Sequence, residues 1–286
     1  MHVPGFIQRH PVLAYYVLTF ALSWGAMLVE VGPRGFPVNP AQLGKMLPVL
    51  IVAMLLGPGV ASILLTGVVG GKAGYRNLLS RLLKWRVGIE WYAAAVLVAP
   101  LLLMAVPLAL TVWNPEFIPR VFTEVDKRSL LRLGFAAGVS VGVFEELGWT
   151  GFAIPRLRSR FGVLGTGALV GFLWGAWHIP VIALQSGTPS GALSFSNSLG
   201  ALIFSFGLLP AFRVVMVWVY DHSESLLLAM VMHMSLAASN IIFGLASAQG
   251  MTSPFFTAAL SVALWIVIAA SFAAGRKHRL VHAAHG

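Results

Sequence analysis

Glu145 and Glu146 stand side by side in Phe144-Glu145-Glu146-Leu147-Gly148-Trp149-Thr150-Gly151, inside an apolar run long enough to cross a membrane. An ionised acid near the middle of a bilayer costs ~2.5 to 3.5 kcal/mol on insertion scales, so such residues face a polar interior and mark a site. Two together require partners, and His178 in Trp174-Gly175-Ala176-Trp177-His178 and His233 in Met232-His233-Met234-Ser235 offer them, each within an apolar segment. A buried carboxylate beside an imidazole can take a proton from water, so the chemistry these residues suit is hydrolysis. The bland reading is a hydrogen-bonded clamp between helices, since buried polar groups need partners wherever they lie.

The elements that hold these residues are helices. Of 286 residues, 58% are hydrophobic and 10% charged, and the mean hydropathy is +0.86, whereas soluble domains carry about a quarter charged residues. The chain reads as an all-α polytopic membrane protein of about eight transmembrane helices, forming a single domain over 1–286 with its motif-bearing core at about 130–245. A closed barrel would need alternating apolar and polar residues in short strands, and that pattern is absent. The fourth and fifth helices are expected at about 130–156 and 163–184, with a turn near Phe161-Gly162. Glu145 and His178 then lie at similar depth, each about sixteen residues from the turn, ~24 Å along a regular helix. The stretch 70–90 is read as a basic loop, and Gly57-Pro58-Gly59 as a kink in the second helix. Arg213, inside the sixth helix, is read as a partner for an intramembrane acid, as a snorkelling side chain, or as the mark of a misplaced helix boundary.

The net charge of +10 resides mainly in inter-helix loops and the C-terminal tail, which suits anionic lipid headgroups and not nucleic acid. With no cysteine there is no disulfide, thiol catalysis or cysteine-type zinc site. A zinc site of His178, His233 and Glu145 with an open position for water is the metal alternative. No cofactor is favoured, because no HExxH pairing is present.

The run Glu145-Glu146-Leu147-Gly148-Trp149-Thr150-Gly151-Phe152-Ala153-Ile154-Pro155-Arg156-Leu157 resembles the first motif of the CPBP intramembrane proteases, which include the CAAX prenyl endopeptidases and bacteriocin-processing or immunity proteins. Trp174 to His178 is similar to their second motif, and His233 to the histidine of their third. The resemblance implies peptide-bond hydrolysis of a membrane-associated peptide or protein substrate, in the bilayer of a bacterial inner membrane. It implies Glu145 as the general base, assisted by His178, with Glu146 in support and His233 at the oxyanion. Two positions depart from the pattern: Thr150 stands where the first motif often ends in arginine, and Ala237 where the third often has asparagine. Asn240, two turns after His233, is the candidate replacement oxyanion donor. Trp174 and Trp149 are candidate substrate contacts. A proteolytically silent scaffold or immunity protein of the same fold is the alternative function, and a proton-coupled transporter a further one that lacks the inverted repeat it would favour.

Orientation follows from the loops: twelve Lys and Arg fall on the side of both termini and six on the other, which places both termini in the cytoplasm. A reporter fused after Gly286 is expected to read as cytoplasmic, and an external signal would reverse the assignment.

Overall fold

The computed structural model describes residues 5–32, 35–36, 38, 40–188, 190, 192–245 and 253–284, with side chains described for all of these except 40 and 275–284. Arg34 and the side chains of Arg276, Lys277 and Arg279, counted above for orientation, lie outside the described residues. The long helices are α1 (Pro11–Val31), α2 (Pro40–Leu82), α3 (Ile89–Leu110), α4 (Lys127–Gly148), α5 (Ile154–Arg158), α6 (Val163–Trp177), α7 (Ile179–Gln185), α8 (Phe195–Ile203), α9 (Leu209–Ser223), α10 (Leu226–Phe243) and α11 (Pro254–Ala284), where α5, α7 and α8 are short continuations of longer arms. Six described helical segments are long and apolar enough to cross a membrane, and α6 with α7, bent by 43°, would make a seventh. The protein is therefore an all-α polytopic membrane protein.

Prolines set the breaks. Pro155 has no N–H to donate to Gly151, and Trp149–Ala153 is wound as a π-helix between α4 and α5. Pro210 does the same for Phe206 in the π-wound stretch Phe204–Leu208 that joins α8 to α9. Pro180 cannot bond back to Ala176, so the expected fifth helix stops at His178 and restarts as α7.

In α2 the backbone keeps helical angles through Gly57-Pro58-Gly59, where Pro58 leaves the Met54 carbonyl to the Ser23 hydroxyl at 3.1 Å, and the non-helical break falls at Gly71, whose φ of 53° only glycine adopts without strain. The basic stretch after it is helical to Leu82 and not a loop, because Tyr75, Leu78, Leu79 and Leu82 recur at helical spacing. Leu78 packs against Leu226 and Met230, and Arg81 donates to the carbonyls of Thr150, at 3.3 Å, and Gly151, at 2.7 Å. The acceptor that Pro155 leaves open is thus taken by Arg81. Nearby, Lys84 pairs with Glu224 at 2.8 Å, and that ammonium holds the Glu224 carboxyl below its usual range. Arg158 pairs with Asp221 at 2.7 Å, so Arg81, Lys84 and Arg158 gather at one end of the bundle.

Close helix approach depends on two glycine rows. A Cβ at Gly138 would lie 2.7 Å from the Met234 carbonyl and one at Gly142 2.6 Å from that of Met230, so α4 and α10 cross antiparallel almost backbone to backbone. On α6, Gly167, Gly171 and Gly175 face Val214, Pro210 and Ser205 in the same way, which seats α6 against α9 and the π-wound turn before it.

Gly142→Val is expected to destabilise the protein by about 1 to 3 kcal/mol through overpacking. Gly25→Ala, where an added Cβ meets nothing within 4 Å, should leave the unfolding midpoint in detergent unchanged or raise it. Equal midpoints for Gly142→Val and wild type would refute the close crossing.

Candidate active site

The crossing of α4 and α10 fixes which residues meet. Gly134 stands opposite Ala238 and Ile242, Gly138 opposite Met234 and Ala238, and Gly142 opposite Met230 and Met234. Continuing that antiparallel register by one turn brings Glu146 to α10 near its start, where His233 reaches it. Glu146 is fully buried, and its Oε1 accepts from Nδ1 of His233 at 2.6 Å and from Nη1 of Arg213 at 2.7 Å. The Thr150 hydroxyl donates to its Oε2. All of its main acceptor positions are therefore engaged by donors from α4's own continuation, α9 and α10.

Glu145 occupies a different setting. Its Oε2 accepts from the indole N–H of Trp149 at 3.1 Å and of Trp174 at 2.9 Å, while its Oε1 has no hydrogen bond among the described residues. Glu145 and His178 line one cavity of about 210 Å³, walled by Leu47, Leu50, Met54, Val141 and Val181 among other apolar side chains. His178 sits at the α6 to α7 break, where the ring bonds through Nδ1 to the Trp174 carbonyl at 2.9 Å. A carbonyl only accepts, so Nδ1 carries the hydrogen and Nε2 is left as the basic nitrogen. The same logic protonates Nδ1 of His233 against Glu146, leaving its Nε2 3.9 Å from Oε2 of Glu145. The arrangement can therefore hold a water between a carboxylate oxygen and a basic imidazole nitrogen, with a second imidazole and a second carboxylate behind them.

Of the expected site residues, the structure brings together Glu145, Glu146, His178 and His233, with Trp149 and Trp174. The two tryptophans do not line the cavity: they are buried, at 0% and 2% exposure, and they turn their N–H groups to Glu145. An indole N–H is a donor only, and in an apolar interior a carboxylate satisfies it best. The two indoles thus support the carboxylate.

Asn240 is not brought to the cluster. It lies seven residues beyond His233, ~10 Å along the helix, beside the level of Gly134 to Gly138, and its Oδ1 is buried with no hydrogen-bond partner among the described residues. Residue counts from the start of α10 set Asn240 near the depth of Glu145, but the offset between the two helices is fixed by contacts at the α10 start. Ser225, which starts α10, is itself buried and donates to the Lys84 carbonyl at 2.6 Å, while the arm after Glu146 passes through a π-wound stretch before its turn.

Three contributors were not assigned to the site by sequence. Sequence alone leaves the role of Arg213 open; it is 0% exposed and ion-paired with Glu146. Thr150, read only as the loss of a motif arginine, donates to Glu146 directly. Arg81, counted as a loop cation, ties down the turn that carries Thr150. The signal for Arg213 was present: it is the one basic residue in the middle of an apolar span, and two adjacent acids elsewhere needed a cation.

Among the described residues no three His, Asp or Glu side chains are grouped so as to hold a metal ion; the Nδ1 of each histidine bonds an oxygen acceptor, which leaves Nε2 as the nitrogen a metal would take. Purified protein is expected to carry no stoichiometric zinc after dialysis, by elemental analysis, and Glu145→Gln should leave metal content unchanged; one bound zinc per chain, lost in that variant, would reinstate the metal site.

Residues 127–239 match the family model described as type II CAAX prenyl endopeptidase Rce1-like. A curated relative, CAAX prenyl protease 2 of Methanococcus maripaludis, is 32% identical over 91 residues, which make up 32% of this chain and 33% of that protein. The match therefore spans about a third of the relative's length. The matched segment, which is similar to the Rce1-like type II CAAX prenyl endopeptidases, holds Glu145, Glu146, Thr150, Trp174, His178, Arg213 and His233.

Proposed function

We propose that the protein is an intramembrane endopeptidase in which Glu145 activates water and His178 orients it. The observation that carries this reading is the division of labour between the two acids: Glu145 reaches the cavity with His178, while Glu146 is enclosed by Arg213, His233 and Thr150. Only one of the acids is placed to meet a substrate.

The steps balance with the residues present. Glu145 takes one proton of a water whose other contact is Nε2 of His178, and the hydroxide oxygen forms a bond to the carbonyl carbon of the scissile peptide. The carbonyl π pair moves to oxygen. On collapse the C–N bond breaks, and the proton held by Glu145 passes to the departing amine, which leaves a carboxylic acid and a free amino terminus. A positioned base of this kind contributes about 100 to 10,000-fold. His233, enclosed between the carboxylates, serves in this reading as proton partner to Glu145 and not as a direct contact to the oxyanion.

A cavity of about 210 Å³ is smaller than the ~300 to 1,000 Å³ of a drug-sized site. It suits one or two apolar side chains of an extended peptide, with the remainder lying in the membrane or at its surface. A membrane-associated protein whose C-terminus carries an isoprenyl group is the substrate class suggested by the relative's name, and an unmodified membrane peptide is the other. The site lies within a bundle that spans the bilayer, which supports an integral location in the cell membrane.

Glu145→Gln and His178→Ala are each expected to lower turnover at least 100-fold while the protein inserts and unfolds at close to the wild-type temperature. The measurement is cleavage of membrane peptides in cells or vesicles carrying each variant, compared by mass spectrometry. A silent scaffold or a simple clamp predicts the opposite pattern, with stability lost and any turnover per folded molecule retained.

A further inference from the structure

Arg213 is buried completely on α9, remote in sequence from every motif discussed above, and it touches both halves of the site's support. Its Nη1 is 2.7 Å from Glu146 Oε1, and its guanidinium carbon lies 4.3 Å from the centre of the Trp174 ring. Trp174 in turn donates to Glu145 at 2.9 Å and packs edge-on against His233, with ring centres 4.8 Å apart. Arg213 does not line the cavity, so any effect on chemistry must pass through these neighbours.

Charge decides what that effect is. Two carboxylates and one guanidinium in an apolar interior leave one negative charge over, and a lone buried charge is strongly disfavoured. His233 can cancel it. Its Nδ1–H already faces Glu146, and a second proton on Nε2 would face Glu145 Oε2, 3.9 Å away. With Arg213 paired to Glu146, the Nε2 edge of the imidazole is turned to Glu145, at a distance longer than a direct hydrogen bond.

We propose that Arg213 is a positioning residue for proteolysis: its cation pairs with Glu146 and its guanidinium face holds Trp174, so that the Trp174 indole and the His233 ring stay set against Glu145. This rests on the endopeptidase reading above. The ion pair is made across helices, from α9 to α4, and the glycine row of α6 against Pro210 and Val214 is what lets α9 approach closely enough for the guanidinium to stack on Trp174. Only one donor of the fork is used on the carboxylate, since Nε and Nη2 have no partner among the described residues. A lysine would keep the charge and lose the planar stack.

The test uses the full-length protein in lipid vesicles, a membrane peptide cleaved by wild type and not by Glu145→Gln, and a second readout that does not depend on cleavage: labelling of the Glu145–Glu146 pair by dicyclohexylcarbodiimide, which reacts with protonated carboxyl groups. Arg213→Met is expected to lower kcat at least 100-fold with KM within about twofold, and to raise carbodiimide labelling at least threefold as the uncompensated pair takes up a proton. Arg213→Lys should lose about tenfold in kcat, with KM and labelling near wild type. Wild-type kcat and wild-type labelling in folded Arg213→Met would overturn the assignment. If that variant does not fold, Arg213→Lys decides, and an unchanged kcat there is the overturning result. Should wild type cleave no peptide, the endopeptidase reading fails, and labelling alone still reports whether Arg213 governs the protons of the pair.

Discussion

Everything in this bundle is arranged around one buried carboxylate, that of Glu146, and the three donors that satisfy it. In lipid no water offers an alternative, so Arg213, His233 and Thr150 must all reach it, and they come from α9, α10 and the turn after α4. Truncating one partner of such a buried pair costs ~3 to 5 kcal/mol, because the other charge is left uncompensated. The helices therefore cannot slide past one another by a turn without breaking several charge-assisted contacts at once. Such a cluster specifies one packing among the many that apolar helices of similar shape would otherwise allow.

Two further features serve that constraint. The glycine rows remove side chains where α4 crosses α10 and where α6 meets α9, letting the backbones approach until Glu146, His233 and Arg213 are within hydrogen-bond reach. The π-wound stretch after Glu146 places Thr150 on the side of Glu146 Oε2, and it leaves carbonyls that Arg81 binds from the helical arm beyond Gly71. Irregular backbone at this depth is tolerated only where protein groups satisfy it. The proline that disrupts the helix and the arginine that repairs it are separated by more than seventy residues of sequence.

Much of this was legible from residue types. Hydropathy yields an all-helical membrane protein, and the cost of burying charge singles out Glu145, Glu146, His178 and His233, which do meet. What was not legible depends on offsets between helices. The level of Asn240 required the depth at which α10 begins, and that is set by the contacts of Ser225 and Glu224 with Lys84 rather than by hydropathy. The role of Arg81 required knowing that 72–82 is helical and folds back on the bundle. The glycine row at 134, 138 and 142 has the spacing of a close helix crossing, but spacing alone does not say which helix it meets, and α10 is the partner in the structure.

The adjacency of the two acids carries its own argument. Neighbours on an α-helix point about 100° apart, so two consecutive glutamates look in different directions, here one into the cavity and the other into the protein. Glu145 takes the first position and two indole donors, and Glu146 takes the second with a guanidinium, an imidazole and a hydroxyl. His233 then bridges the two settings, one nitrogen toward each acid. Adjacent carboxylates in one sequence motif thus become a reacting group and its support, linked by a histidine from a different helix. The pair works as a unit because the helix turns between them.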